Sequence, residues 1–403
     1  MASARHVIVA GAGIAGLTAA LARAGLRTTV LEQTARLEET GAGIQLSPNA
    51  TRVLIALGLR ERLQASVMAP HAIRVMAGGS GREIVRIPLG ADAERRYGAP
   101  YWTIHRGDLQ SALAAAASGT QHIEIKFGAR VGAFAGHADG ITVQAANGHS
   151  TVEQRGIALI GADGLWSAVR AQLPGQRAPH FRHRTAWRAL IPADTLPAEF
   201  REPLVHLWLG LDAHLVHYPV KSGRLINIVA IVHDEWKESG WSAEGQRAEI
   251  LRRFARWSWA ETARALVAIP EQWLKWALYD RKTSFRGGMG AVTLIGDAAH
   301  PMLPFLAQGA GMAIEDAAVL ADMFGKYPDD PSDALRAYED TRWRRTSLAQ
   351  TRSRRQARIY GLTGPEALVR NLTLRALGGE NLRARYDWLY DWQPPPLLQS
   401  ELA

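Results

Sequence analysis

Gly11-x-Gly13-x-x-Gly16 follows the apolar run Val7–Ala10, and Glu32 closes the next apolar run sixteen residues after the last of these glycines. In a strand–turn–helix unit the first glycine permits the turn. The second lets a pyrophosphate reach the backbone, and the third lets the helix pack close to the strand. The helix N-terminus then faces the phosphates with unpaired N–H groups and a partial positive charge. A carboxylate at position 32 can accept from a ribose hydroxyl. Two more strand ends carry glycine and aspartate: Gly161-Ala-Asp163-Gly164-x-x-Ser167-x-x-Arg170 and Gly296-Asp297-Ala-Ala-His300-Pro301. Taken singly, each aspartate reads equally as an Asx-turn or helix cap. Taken together, three such turns gather at the carboxyl ends of the strands of a doubly wound sheet, where one extended dinucleotide can lie.

The rest of the chain must hold those turns in place. Its 403 residues allow two domains, or one large domain with a second inserted. A hydrophobic content of 47% with 21% charged residues describes a globular protein. The chain has no cysteine, which excludes disulfides, thiolate metal sites and cysteine nucleophiles. Met1–Arg5 is too short and polar for a signal peptide, and no apolar run approaches the ~20 residues of a membrane span. These features predict a cytoplasmic enzyme with no membrane or nucleic-acid partner. The net charge of +9 owes much to Arg342, Arg344, Arg345, Arg352, Arg354, Arg355 and Arg358, read as a solvated helix face that could also steer anionic ligands. His300 lacks partner histidines at ligand spacing, so no metal is expected.

In chain order, residues 41–49 form a structured loop, with Ser47 or Asn49 capping a helix from Ala50 to Leu57. Residues 71–89 alternate as a hairpin and break the βαβ rhythm, which marks entry into a second domain. Asp108 is expected as the N-cap of a helix from Leu109 to Ala117. Residues 183–235 are strand-rich, and His206–Gly210 should pair with His214–Val220 across residues 211–213. Alternation puts His214, Val216 and Tyr218 on one face and His217 on the other. Residues 245–280 are expected as helix, with Trp257, Trp259, Trp273 and Trp276 as packing residues. Helices follow from about Gly311 and from Asp333, and the tail after Tyr386 is read as a loop and cap.

On these three motifs the chain resembles, over essentially its whole length, the single-component flavoprotein aromatic hydroxylases, the class of p-hydroxybenzoate and salicylate hydroxylases. The resemblance implies an α/β fold: a Rossmann-like FAD-binding domain of the p-hydroxybenzoate-hydroxylase type, an inserted sheet-based substrate domain and a helical C-terminus. Residues 1–70, 101–180 and 281–365 would form the discontinuous FAD domain. Residues 71–100 and 181–280 would form the substrate domain, and 366–403 a tail packed on the FAD domain. Gly11, Gly13, Gly16 and Glu32 would take the ADP half of FAD, and Asp297 the ribityl chain. Arg106 matches a supporting arginine. Asp163 and Arg170 belong to a motif linked to FAD and the nicotinamide cofactor. Pro304, Gly309, Ala310 and Gly311 would lie against the flavin ring, where a helix N-terminus favours negative charge.

The implied reaction is hydroxylation of a small electron-rich aromatic acid with NADH or NADPH and O2, through a flavin C4a-hydroperoxide. The segment His206–Pro219 is similar to that of salicylate, 3-hydroxybenzoate and 6-hydroxynicotinate hydroxylases, in which a His-x-x-x-Tyr pair faces the substrate. It implies His214 as base or hydrogen-bond partner of the substrate phenol and Tyr218 as orienter; a strand-capping histidine and a core tyrosine are the plainer readings. Gln45 and Arg188 are further pocket candidates, Arg188 for a carboxylate or for a surface pair. Near Pro304 the chain departs from the 3-hydroxybenzoate enzyme, which has a glutamine there. Other readings are an epoxidase or hydroxylase of a larger fused ring, a flavin-dependent reductase or dehydrogenase, and a non-catalytic FAD sensor. Oligomeric state stays open, a homodimer included.

Overall fold

The computed structural model describes residues 5–22, 25–37, 42–148, 150–211, 213–237, 242–256, 259–281 and 286–397. Its strands are β1 His6–Ala10, β2 Arg27–Leu31, β3 Gly43–Leu46, β4 Ala72–Ala77, β5 Glu83–Pro88, β6 Trp102–His105, β7 Ile123–Lys126, β8 Ala129–His137, β9 Gly140–Asn147, β10 Ser150–Gly156, β11 Ala158–Gly161, β12 His180–Pro192, β13 Leu204–Leu209, β14 Ala213–Val220, β15 Leu225–His233, β16 Ala243–Gly245, β17 Trp273–Asp280 and β18 Val292–Leu294. Its helices are α1 Ile14–Leu21, α2 Pro48–Ala56, α3 Arg60–Gln64, α4 Gly90–Tyr97, α5 Arg106–Ser118, α6 Ala168–Ala171, α7 Arg247–Arg256, α8 Glu261–Ala268, α9 Gly309–Lys326, α10 Pro331–Tyr360, α11 Gly364–Ala384 and α12 Asp387–Tyr390.

The first layer is a parallel five-stranded sheet in the order β18-β11-β1-β2-β7. Its strands are short apolar runs such as Val-Ile-Val-Ala, buried on both faces as parallel sheets require. Helices α1, α5 and α9 cover one face through Leu17, Leu113, Ile314 and their neighbours. The antiparallel β8–β10 sheet covers the other through Val131, Ile141 and Val143. The glycine-bearing ends of β1, β11 and β18 therefore lie side by side.

The second layer is an eight-stranded sheet in the order β16-β17-β12-β15-β14-β13-β4-β5. Alternation divides its side chains. Trp187, Trp208, Leu215, Ile228 and Ala230 point to α7 and α8 on the back. Arg188, His214, Val216, Tyr218, Asn227 and Ile231 take the opposite parity and face the first layer. A two-stranded ribbon, β3 with β6, is stitched to that front face. Gly43 N donates to Asn227 Oδ1 at 2.7 Å, and Thr103 Oγ1 donates to the Pro219 carbonyl at 2.6 Å. Gly43 must lack a side chain here, because a Cβ would stand 2.7 Å from the Tyr218 ring.

Several local expectations are corrected. Ser47 stands at the N-cap position of α2, but its hydroxyl bonds Asn49 and accepts from Gln308 instead of capping. Asp108 lies inside the first turn of α5, which His105 precedes, and pairs with Lys221 at 2.9 Å. Trp273 and Trp276 sit on β17, not on a helix, and their odd spacing puts them on opposite faces: Trp273 packs in the core behind the sheet and Trp276 stands on the front. Trp257, Asp212 and the start of the residue 41–49 loop lie outside the described residues. The C-terminus is helical as the resemblance implies, with α11 broken at Gly378 (φ 70°); after Tyr386 the single turn α12 precedes an irregular end. It reaches the large sheet as well as the first layer: Leu374, Leu377 and Leu382 pack with β4 and β5, while Leu389 and Tyr390 pack with Tyr97 and Tyr101.

The arginine-rich helix is only partly solvated. Arg344, Arg352, Arg355 and Arg358 are exposed. Arg342 is buried, donating to Glu315 at 2.6 Å and Asp316 at 2.7 Å, and Arg345 donates to Glu315. Asp316 also accepts from Gly296 N and bonds His300 Nε2 at 2.6 Å. Burial opposes ionisation of Asp316, but His300 and Arg342 outweigh it and bring its pKa from 3.8 down to about 2. Its stabilising contribution is therefore complete above the ordinary carboxylate value and is lost as pH falls through about 2. Arg342→Met removes the one cation shared by both buried carboxylates, leaving Glu315 to Arg345 and Asp316 to His300. It should cost about 3–5 kcal/mol in urea unfolding and move acid unfolding to higher pH.

Candidate active site

The three glycine turns meet at one edge of the parallel sheet. Gly11 adopts φ 102°, and a Cβ there would lie 2.7 Å from the Ala162 carbonyl oxygen of the second turn. A Cβ on Gly16 would lie 2.0 Å from the Gly11 oxygen, so strand and helix touch at backbone distance. A Cβ on Gly13 would meet nothing within 4 Å. The first and third glycines thus serve the fold, and the second faces open space at the N-terminus of α1. Glu32 is held across this turn, accepting from Ala12 N at 2.7 Å and Thr34 N at 2.9 Å.

Asp163 and Arg170 turn into the protein. The Asp163 carboxylate accepts from Ser167 Oγ at 2.5 Å and Val169 N at 3.0 Å, which caps α6. Arg170 Nη1 donates to the carbonyls of Ala298 and Ala299 at 2.6 and 2.8 Å, tying the second turn to the third. Burial lowers the Arg170 pKa to about 10. Asp297 behaves differently. It sits deep enough for burial to raise its pKa, yet its side chain is accessible to solvent, which locates it on the floor of a cleft. Arg106, at the start of α5, is close enough to Asp297 for their charges to interact; burial still lowers the arginine. The N-terminus of α9 opens beside this carboxylate, with the Gly309 Cβ position 3.9 Å from Asp297 Oδ1. Gly309 and Ala310 are only half-buried, so the first-turn N–H groups border the cleft. Pro304 begins a short 3-10 turn over Phe305 just before it.

The opposite wall of the cleft is the front face of the large sheet. Register sets three levels. His214 is level with Ile231 and Ala186, Val216 with Val229 and Arg188, and Tyr218 with Asn227 and Leu190. Arg188 therefore stands between the levels of His214 and Tyr218, two strands away. His214 packs against Phe305 and Tyr360, ring centroids 5.1 and 5.2 Å away, and burial with Arg184 nearby lowers its pKa to about 3. His217 faces the back, stacked on His206 at 4.3 Å and accepting from Trp208 Nε1. Tyr218 is buried, which raises its pKa, and Arg188 and Gln45 act on it in the opposite sense. Gln45 accepts from Tyr101 at 2.7 Å, so the ribbon supplies a polar end to this wall. Arg188 lies deep: burial lowers its pKa, and no carboxylate lies within ion-pair distance of it among the described residues.

Sequence reasoning did not single out Tyr101, Phe305, Tyr360 or the Asn49–Gln308–Glu315 chain of hydrogen bonds. A signal existed for the last: the run Met-Ala-Ile-Glu-Asp-Ala-Ala-Val-Leu is apolar all round apart from its two adjacent acids, which reads as a buried helix whose acids need partners.

The cleft fits an FAD. Gly13 leaves room for a backbone-hugging pyrophosphate, Glu32 is held across the first turn, and the N-terminus of α9 opens beside Asp297 of the third. Comparison with known proteins agrees. A family model described as an FAD binding domain matches residues 4–353. A 3-amino-4-hydroxybenzoate 2-monooxygenase of Streptomyces platensis is 39% identical over 397 residues, covering 97% of each chain. A 3-hydroxybenzoate 6-hydroxylase of Aquipseudomonas alcaligenes is 36% identical, covering 96% of this chain and 97% of that one. Among solved structures, a single-residue variant of Klebsiella pneumoniae HpxO complexed with FAD has a TM-score of 0.82 at 26% identity, covering 99% of this chain and 100% of that one. A salicylate hydroxylase substrate complex has a TM-score of 0.79 at 27% identity, covering 98% and 97%.

The glycines separate fold from binding. Gly13→Val should leave the melting temperature of the apoprotein unchanged and weaken FAD by at least roughly tenfold, about 1.4 kcal/mol, in a fluorescence titration. Gly16→Ala should instead lower the yield of folded apoprotein.

Proposed function

The chain belongs to the single-component FAD-dependent aromatic hydroxylases, and from that premise we propose that it hydroxylates a small hydroxylated aromatic acid, using O2 and NADH or NADPH in the cytoplasm. The observation that carries the acid is Arg188, a guanidinium deep in the cleft with no carboxylate paired to it among the described residues. Substrates of the size of 3-hydroxybenzoate, 3-amino-4-hydroxybenzoate or salicylate, the compounds for which the relatives are named, fit this reading; hydroxypyridine-carboxylates share its chemistry.

The residues divide the work. The turn Gly11–Gly16 with Glu32 would hold the ADP half of the FAD, and Asp297 with Arg106 the ribityl region. The first turn of α9 at Gly309, Ala310 and Gly311, preceded by Pro304, would border the ring. Asp163 and Arg170 would act by bracing the second and third turns. When bound, FAD supplies the two-electron redox chemistry that links the nicotinamide to O2.

Ring hydroxylation is electrophilic, so the protein gains by drawing the proton of a substrate phenol away from its oxygen. His214 is the group for this. Its low pKa keeps the ring neutral at working pH. It would accept a hydrogen bond from the phenol, enriching the aromatic ring without carrying a charge of its own. Tyr218 would fix the ring's orientation. Phe305 and Tyr360 pack against the histidine, backed by Leu303 in the same cluster, and would keep water from that end of the cleft.

Two outcomes are expected. His214→Ala should keep its full complement of FAD but divert most NAD(P)H oxidation from product to hydrogen peroxide, quantified together with 3-hydroxybenzoate, 3-amino-4-hydroxybenzoate and salicylate offered in turn. Equal loss of FAD and product would remove His214 from the chemistry. The pH profile of kcat should carry no limb near 6.5 from this histidine, because a group with its pKa lowered to about 3 stays deprotonated throughout that range.

A further inference from the structure

We infer that Trp276 is a positioning residue that makes Arg188 read the substrate carboxylate end-on, through its two terminal nitrogens. The inference rests on the proposed acid-binding role of Arg188 and adds how that recognition is built.

Trp276 and Arg188 are diagonal neighbours on the front face: β17 pairs with β12 so that Trp276 opposes Ala186 and Leu274 opposes Arg188. Side chains so placed reach one another. The guanidinium carbon lies 4.9 Å from the centroid of the Trp276 ring. A cation over an indole face is attracted by the ring quadrupole, most strongly where water is excluded. Here no anionic side chain among the described residues competes for the charge, and Arg106 repels it from across the cleft.

The three nitrogens of Arg188 are not equivalent. Nε is sealed from solvent and has no hydrogen-bond partner. The terminal pair is not sealed, and the residue as a whole is half-buried. A carboxylate can meet a guanidinium along its Nε–Nη side or across its two Nη groups. The walled-in Nε closes the first approach and leaves the second. Trp276 then fixes the plane in which that fork is presented. A lysine at position 188 would offer a point charge with no plane to fix.

The test uses the holoenzyme and two isosteric probes, benzoate and the neutral benzamide, titrated by the change in flavin absorbance. Trp276→Leu should raise the Kd of benzoate roughly tenfold and leave that of benzamide unchanged, with FAD content and melting temperature preserved. Trp276→Phe, which keeps an aromatic face, should recover most of the benzoate affinity. KM for the acid substrate should follow Kd while kcat stays within about twofold. Equal weakening of both probes, or no weakening of either, overturns the positioning role. If Trp276→Leu does not fold, Trp276→Phe against Trp276→His decides by the same ratio of probes. Arg188→Met separates the two levels: if it weakens benzoate no more than benzamide, the acid-binding reading itself falls. If it weakens benzoate selectively and Trp276→Leu does not, only the role of Trp276 is lost.

Discussion

The buried charges of two adjacent acids hold the rest of this structure in place. Glu315 and Asp316 sit on α9 with no exposure to solvent. Burying two carboxylates costs several kcal/mol each, and the cost is offset only where geometry and hydrogen bonds are good. Here they are. Arg342 and Arg345 come from α10, Asn49 from α2, and His300 and the Gly296 amide from the third glycine turn. Arg345 goes on to the carbonyls of Trp388 and Leu389 in the tail. One cluster therefore fixes where α9 begins, how the third turn is folded and where the C-terminal helix lies. The first two of these border the cleft.

Against that rigid floor the cleft itself is electrostatically lopsided. Arg106 enters from the nucleotide layer, close enough to Asp297 for their charges to interact, and Arg188 from the large sheet, where it feels the charge of Arg106. His214 contributes no charge. Under the proposed function, a cleft of this sign would draw in an anion and meet it with a neutral acceptor in His214, the arrangement an aromatic ring bearing an acid and a phenol calls for.

The two kinds of information in this chain were unequally legible. The glycine turns could be read directly, because their constraints are local: Gly11 needs a positive φ and Gly16 needs backbone contact, and no other residue type satisfies either. The shared face of His214 and Tyr218 followed from strand periodicity alone. What register decides was not legible. Nothing local says that Arg188 stands level with Val216, or that Trp276 lies diagonal to it, since both depend on pairing between strands far apart in the chain. The arginines of α10 misled for a related reason. A 30-residue helix of low hydropathy reads as solvated, and only the acids waiting on α9 make part of it interior. Asp163 could be read either as ligand or as cap, and its bonds to Ser167 and Val169 are those of a cap.

The stitch between Gly43 and Asn227 gives the ribbon and the large sheet a built-in reporter. Gly43 is buried at the start of the ribbon, and its amide donates to a side chain of the large sheet. Separation of the ribbon from the large sheet must break that bond. The hydrogen-exchange rate of this single amide therefore measures how often ribbon and sheet part, separately from unfolding of either sheet.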